Sequence, residues 1–258
     1  GCANLPGESI HMPSALDLSP QHRVYAAFAI YSFAMGSIFP RLPDIKEAMG
    51  IGEGALGLGL IGVPAGTLIS LSFAAPLLER VGFGRALRAL IPLIALLYAV
   101  AVHAQGPLAL FLMLVPVGLA IGCAEIIINV EADRTEALIG RRIMNRAHSF
   151  WSIGFFGAGL FGAAVAQLGL SPQWHLALVV PMVLAGVAVF LGGYVPAPAR
   201  PAENGDAAPR FARPTARGDA PGALDALVEG AAIGRPYALV LLDSRMPDAD
   251  GLSLAASI

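Results

Sequence analysis

The chain has 258 residues, of which 56% are hydrophobic and only 13% are charged, whereas soluble domains carry about 25% charged residues. Its formal net charge is -2, so no basic surface favours nucleic acid as a partner. The cysteines, Cys2 and Cys123, form neither a disulfide framework nor a metal-ligand motif. Composition therefore points away from nucleic-acid-binding proteins and soluble enzymes, and we expect no cofactor and no metal.

Four long stretches contain no Asp, Glu, Lys or Arg: residues 24–40, 54–78, 89–124 and 147–199. A helix needs about 20 apolar residues to cross about 30 Å of hydrocarbon, so the two longest stretches each hold more than one crossing. Gly106-Pro107 and Ser171-Pro172 divide those stretches, because Gly and Pro end helices. The sequence predicts an all-α membrane protein with six transmembrane helices, at 24–40, 55–78, 87–102, 108–130, 150–168 and 176–195.

Arginine and lysine are distributed unequally between the two sides of these six spans. One side carries twelve arginines and the other only Arg41 and Lys46; the twelve are Arg23, Arg80, Arg85, Arg88, Arg134, Arg141, Arg142, Arg146, Arg200, Arg210, Arg213 and Arg217. Positively charged connections stay in the cytoplasm. We therefore expect both termini, including an N-terminal segment at 1–22, to be cytoplasmic.

The connection between the second and third spans, ERVGFGRALR at 79–88, is a tight turn with one acid and several arginines. It resembles the signature loop of the major facilitator superfamily (MFS), although the leading Gly of the signature is Ala here. Three further segments are similar to a bacterial inner-membrane group of that superfamily: PRLPDIKEAMGI at 40–51, GLGLIGVPAG at 57–66 and NVEADRTEALIGRRIMNRAHSFWSIG at 129–154. Four positions of the loop match the signature: Glu79, Arg80, Gly82 and Arg85. At the first of them the family usually has Asp.

This resemblance covers residues 23–195 and corresponds to the N-terminal half of a twelve-span secondary transporter. It implies a bundle of two inverted three-helix repeats, with a cavity shared between two such bundles. It also implies alternating-access transport of a small solute, coupled to protons. The expected partners are the lipid bilayer, a small-molecule substrate, and a second six-helix half or another copy of the chain. The expected location is the bacterial inner membrane.

Ionisable residues inside spans are the candidate functional residues, because an unpaired charge at the bilayer centre costs several kcal/mol. Glu125 lies about five residues from the end of the fourth predicted span, and Asn129 follows one turn later on the same helix face. Glu125 has two interpretations. It takes up a proton or contacts substrate, or it forms a structural ion pair with Arg134 or Arg146.

Three further residues are candidates for the transport path. His148, which opens the fifth predicted span, is either a proton relay or an interfacial anchor. Arg41 and Asp44, at the outer end of the first span, either gate the cavity or bind a polar substrate, or they simply solvate a helix end. Three acids are expected to balance the neighbouring arginines on the cytoplasmic face, namely Glu131, Asp133 and Glu136.

The C-terminal part differs in composition. Residues 196–222 are rich in Pro, Ala, Gly and Arg, which predicts a disordered linker. Residues 223–258 resemble the centre of a response-regulator receiver domain, with a strand ending in Asp243 followed by Met246-Pro247 and Asp250-Gly251. The resemblance makes Asp243 the phosphoacceptor position of a phosphorelay. Its Mg²⁺-binding acids would fall at 195–201, where none is present, so we expect an incomplete α/β fragment without phosphotransfer.

Two alternatives remain open for the whole chain. A membrane-anchored two-component signalling protein would use the bundle as its sensor and the receiver module as its output. A misjoined or truncated gene product would have no activity of its own.

Overall fold

A computed structural model of the chain describes residues 18–198 together with Asp225 and Glu229. Gly1–Arg200 form one unit and Pro201–Ile258 a second. In the second unit, the two described residues are helical and exposed. The rest of the predicted receiver-like fragment, including Asp243, lies outside the described residues, as does the predicted linker beyond residue 198.

Within residues 18–198 all regular structure is helical. The elements are α1 (Pro20–Gly36), a 3₁₀ turn (Phe39–Arg41), α2 (Leu42–Met49), α3 (Glu53–Leu60), α4 (Gly62–Val81), α5 (Phe83–Ala101), α6 (Pro107–Ile139), α7 (Met144–Gln167) and α8 (Pro172–Leu191).

Five stretches of the described chain are long and apolar enough to cross a membrane. They are Glu53–Ser72, which joins α3 to α4, and the helices α5, α6, α7 and α8. The described part of the chain is therefore all-α, and the chain is a multi-pass membrane protein. The first predicted span corresponds to α1, whose 17 residues extend about 26 Å, slightly less than the hydrocarbon thickness of about 30 Å.

The predicted end of the fourth span is wrong as a helix end. The helix predicted at 108–130 is the 33-residue α6, which continues to Ile139 and is about 50 Å long. Glu125 consequently lies about 21 Å from the end of its helix, whereas the predicted five residues were counted from the end of the apolar span at residue 130. Arg134, predicted in a connection, lies on α6 instead.

The tight turn predicted at 79–88 is present, but it is shorter than predicted. α4 ends at Val81 and α5 begins at Phe83, so Gly82 alone connects them. Its φ of 87° is in a region that favours glycine. Arg85 consequently lies in the first turn of α5, where it is exposed. Glu79 and Arg80 lie in the last turn of α4, but their side chains are outside the described residues.

Contacts between connections define two ends of the bundle. At one end the backbone carbonyl of Tyr194, just after α8, accepts a hydrogen bond from Arg88 of α5 at 3.1 Å. At the other end the carbonyl of Leu170, just before α8, accepts one from Arg41 at 2.6 Å. We call the first the arginine-rich end, because Arg85, Arg88 and Arg134 lie there, and the second the opposite end.

Two pairs of helices approach closely through glycine. α4 packs along α6, where a Cβ on Gly118 would lie 2.0 Å from the carbonyl oxygen of Val63. α1 packs along α7, where a Cβ on Gly154 would lie 2.1 Å from the carbonyl oxygen of Ala29. Both distances are far below van der Waals contact. Small residues let membrane helices approach this closely, since lipid supplies no hydrophobic drive for their association.

We expect Gly118→Ala to lower the stability of the bundle by roughly 1–3 kcal/mol, because the new methyl group must push α4 away from α6. Gly57→Ala is the matched control, since nothing lies within 4 Å of a Cβ at that position. Alanine there should be neutral or stabilise α3 by up to about 1 kcal/mol. Thermal unfolding in detergent measures both, and equal effects of the two changes would contradict the close packing.

Candidate functional site

The carboxylate of Glu125 lies where α6 packs against α1. The Tyr31 hydroxyl donates a hydrogen bond to its Oε2 at 2.6 Å. The Asn129 amide donates to its Oε1 at 3.1 Å and to the Glu125 backbone carbonyl at 2.9 Å. Tyr31 is fully buried, whereas Glu125 and Asn129 are half-buried. Both partners are neutral, so they orient the carboxylate without neutralising its charge.

Neither cation predicted as a structural partner of Glu125 pairs with it. The guanidinium of Arg134 lies 3.8 Å from Glu131 and 4.6 Å above the Phe83 ring. Arg146 is exposed on the first turn of α7. The prediction that Asn129 shares a face with Glu125 is correct, because residues four apart are neighbours on a helix. Tyr31 escaped sequence analysis, since its contact joins residues 94 positions apart.

Exposed polar residues mark the first half of α7. We call this set the α7 polar stripe, and it consists of Asn145, His148, Ser149 and Ser152. The ring of His148 lies edge-on to Phe28 of α1, with 5.2 Å between centroids. Phe28 precedes Tyr31 by one turn, so the stripe and Glu125 both border α1 at the arginine-rich half of the bundle. No hydrogen bond between the described residues joins His148 to Glu125.

Arg41 and Asp44 form an ion pair at the opposite end, away from Glu125. The Nε of Arg41 lies 2.8 Å from a carboxylate oxygen of Asp44, and its Nη2 donates to the Leu170 carbonyl. Arg41 is only 2% exposed, so the interpretation as a solvated helix end is wrong for it. His175 of α8 is also fully buried, and neither ring nitrogen has a hydrogen-bond partner among the described residues.

Glu131 anchors the chain that leaves α8. One of its carboxylate oxygens accepts hydrogen bonds from the Tyr194 hydroxyl and from the Ala197 backbone amide, the latter at 3.1 Å. Glu131 pairs with Arg134 as predicted, at 3.8 Å, but it is only 1% exposed and so does more than balance charge at the surface. Burial, and then the charge of Glu131, raise the pKa of the Tyr194 phenol above its ordinary value. We call Glu131, Tyr194 and Ala197 the Glu131 clasp.

The clasp brings the first residues of the predicted linker onto the bundle. Pro196 lies against Gly84 of α5, where a Cβ would come within 3.1 Å of the proline ring. Among the described residues no three His, Cys, Asp or Glu side chains group as the ligands of a metal ion would. Besides the α7 polar stripe, the charged groups described above lie in separate places: Glu125 within the bundle, the Glu131 clasp at the arginine-rich end, and Arg41 at the opposite end.

Two curated bacterial proteins are similar to the chain. One is an uncharacterized transporter of Sinorhizobium fredii, 26% identical over 174 residues, which are 66% of this chain and 45% of that protein. The other is an uncharacterized MFS-type transporter of Yersinia pestis, 26% identical over 159 residues, which are 60% of this chain and 40% of that protein. The chain matches less than half the length of either relative. No family model and no solved structure matches it.

These similarities and the five apolar helices support a membrane protein of the MFS transporter type. They give no support to the resemblance to a receiver domain in the C-terminal part.

Proposed function

We propose that residues 23–195 form the N-terminal six-helix half of an MFS-type, proton-coupled secondary transporter, and that Glu125 is its coupling or substrate-contacting group. The observation that carries the proposal is the state of Glu125: a half-buried carboxylate deep in a membrane-crossing helix, held by two neutral donors. A charge in that position is tolerated only if it is paired, protonated or facing water. No cation pairs with Glu125 among the described residues. The two remaining cases, a protonated carboxyl group and a carboxylate that faces water, are the states that transport uses.

The pairing of helices supports two inverted repeats. We take α1, α3–α4 and α5 as the first repeat, and α6, α7 and α8 as the second. The first helix of each repeat then packs on the second helix of the other repeat. This gives the close pairs α1 with α7 and α6 with α4. α1 supplies the sixth span, because the 3₁₀ turn extends it from Pro20 to Arg41. Such exchange symmetry is typical of transporter halves built from inverted repeats.

The α7 polar stripe supports a water-filled path beside Glu125. Polar residues on the outer face of a membrane helix line a cavity rather than face lipid, since lipid offers them no hydrogen bonds. The hydroxyl groups of Ser149 and Ser152 each donate a hydrogen bond to the backbone carbonyl four residues earlier, at 3.1 Å. The ring of His148 belongs to the same exposed stripe. We assign His148 to this path, with Glu125 and Asn129 at its inner end and Arg41 and Asp44 closing the opposite end.

We expect the purified 258-residue chain to show no solute accumulation by itself, because a transport cavity needs walls from two bundles. The measurement is proton-driven uptake into liposomes containing the chain alone, and containing it together with the remainder of the Yersinia pestis relative as a second chain. Uptake by the chain alone would contradict the need for a different second half, and would mean that one copy or two copies of this chain form the cavity. Failure of the paired chains alongside an active intact relative would show that this bundle cannot act as the missing half.

We also expect both termini and the arginine-rich end to be cytoplasmic, following the distribution of positive charge. Reporter fusions after Gly84 and Gly140 should be cytoplasmic, and fusions after Pro107 and Ser171 should be extracytoplasmic. Alkaline phosphatase and green fluorescent protein give opposite signals on the two sides of a bacterial inner membrane. Phosphatase activity after Gly84 or Gly140 would contradict this orientation.

A further inference from the structure

Three exposed arginines lie where α6 joins α7, at the arginine-rich end of the bundle. Arg141 and Arg142 belong to the connection at 140–143, and Arg146 lies in the first turn of α7. The segment 140–146 contains no acid. Among the described residues no ion pair includes any of the three, so this connection presents three positive charges to its surroundings.

The backbone that carries these arginines is held in place. Gly140 ends α6 with a φ of 63°, a conformation that favours glycine. A carboxylate oxygen of Glu136, one turn before the end of α6, accepts hydrogen bonds from the backbone amides of Ile143 and Met144, at 2.9 and 2.7 Å. These bonds fix the connection against α6. A fixed backbone lowers the entropy that is lost when the arginine side chains bind a ligand.

The length of α7 places Arg146 at the level of the lipid headgroups. The 24 residues of α7 extend about 36 Å, whereas the hydrocarbon of a bilayer is about 30 Å thick and its headgroup layers add about 5–7 Å on each side. The first turn of α7 therefore lies outside the hydrocarbon, in the layer that contains the lipid phosphates.

An apolar strip on α7 continues the line that begins at Arg146. Ile153, Phe156 and Leu160 are 61%, 65% and 56% exposed, and we call them the α7 apolar strip. They follow Arg146 by seven, ten and fourteen residues, a spacing that keeps them on one helix face. The strip thus runs from about 10 to about 21 Å beyond Arg146 along the helix axis. The acyl chain of a lipid whose phosphate lies at Arg146 covers the same depth, since one leaflet holds about 15 Å of hydrocarbon.

We propose that Arg142 and Arg146 bind the phosphodiester of an anionic phospholipid, whose acyl chain lies along the α7 apolar strip. Guanidinium groups bind phosphate oxygens through paired, charge-assisted hydrogen bonds, and clustered arginines next to a membrane helix attract anionic lipids. A zwitterionic lipid would bring its own ammonium group to the three arginines, with repulsion. A soluble phosphate would leave the apolar strip unused. This lipid site is additional to the transport path and does not depend on the transport function.

The test is native mass spectrometry of the full chain, released from neutral detergent and titrated with three probes. Dioleoyl phosphatidylglycerol is anionic, dioleoyl phosphatidylcholine has the same chains but no net charge, and glycerol 3-phosphate has no chains. We expect the chain to bind phosphatidylglycerol at least about tenfold more tightly than phosphatidylcholine, and glycerol 3-phosphate more weakly than either lipid.

Two arginine variants test the headgroup contact. Arg142→Gln and Arg146→Gln should each weaken the binding of phosphatidylglycerol about fivefold and leave phosphatidylcholine largely unchanged. Arg85→Gln is the matched control, because Arg85 is exposed at the same end of the bundle but lies on α5. It should change neither lipid. An effect of Arg85→Gln as large as that of Arg146→Gln would overturn the proposal, since it would show attraction to the whole charged end.

A third variant tests the acyl-chain contact. Ile153→Ser should weaken both lipids and keep the ratio of their affinities, whereas Leu112→Ser on α6, at a residue that is 60% exposed, should change neither. Unfolding temperatures identify any serine variant that does not fold, and the arginine variants, which lie outside the hydrocarbon, then decide. Equal binding of the two lipids by the parent chain would overturn the proposal and indicate unspecific lipid contacts. Binding of glycerol 3-phosphate as tight as that of phosphatidylglycerol would overturn it in favour of a site for soluble phosphates.

Discussion

In a transporter completed by a second half, Glu125→Gln should abolish proton-driven accumulation of solute. It should leave counterflow exchange of the solute largely intact. The amide keeps the shape of the side chain and can still accept the hydrogen bond from Tyr31, but it cannot take up a proton. Exchange needs only the alternation of the cavity between the two sides of the membrane, whereas accumulation needs the proton. Both rates are measured in proteoliposomes, with and without an inward proton gradient.

The stability of the same variant distinguishes a coupling carboxylate from a structural ion pair. Removal of a buried ion-pair partner costs roughly 3–5 kcal/mol. In Glu125→Gln an NH2 group replaces the carboxylate oxygen that accepts from Asn129, so only that hydrogen bond is lost and we expect a cost of about 1 kcal/mol. Tyr31→Phe is the matched control, because it removes a donor and keeps the titrating group. A Gln variant with normal stability and normal accumulation would place Glu125 as a solvated residue in a wide vestibule.

The positions of the membrane helices follow from charge alone in much of the chain. Charged residues are so costly in hydrocarbon that the charge-free stretches at 89–124 and 147–199 had to contain the crossing parts of α5 to α8. Hydropathy marks the membrane, however, and not the helix. α6 continues past residue 130 into a segment that contains Glu131 and Arg134 and is no longer apolar. Its end is set by Gly140, whose φ of 63° is a typical C-terminal signal, and that glycine could have predicted it.

Contacts between distant segments could not be predicted from local sequence. In the sequence, Tyr31 is one aromatic residue among the apolar residues of α1. Only the packing of α1 on α6 shows that it donates a hydrogen bond to Glu125. Glu131, likewise, is one of three acids in a short stretch, and no local pattern shows which of them turns inward. The buried one is the acid whose helix face meets Tyr194, 63 positions away. Tertiary packing decides which face of a helix turns inward, and the local sequence does not determine that packing.

Glu131→Ala should lower the stability of the bundle by roughly 3–5 kcal/mol. The change removes the acceptor for the Tyr194 hydroxyl and the Ala197 amide, and a hydrogen bond to a charged group contributes about 1.5–3 kcal/mol. Tyr194→Phe removes one of these two bonds and should cost about half as much. Glu47→Ala, at an exposed acid of α2, is the control and should be within about 0.5 kcal/mol of the parent chain. Chemical unfolding in detergent gives all three values.

Alkaline pH should erase the difference between the parent chain and Tyr194→Phe. The folded structure raises the pKa of Tyr194 through burial and the charge of Glu131, whereas the unfolded chain deprotonates near the ordinary tyrosine value of about 10. Below about pH 10 the neutral phenol contributes its full stability, and above it the unfolded state loses a proton that the folded state keeps. Stability therefore falls as pH rises, and the parent loses more than the Phe variant. A difference between the two chains that stays constant from about pH 7 to about pH 11 would show that Tyr194 is not the buried donor to Glu131.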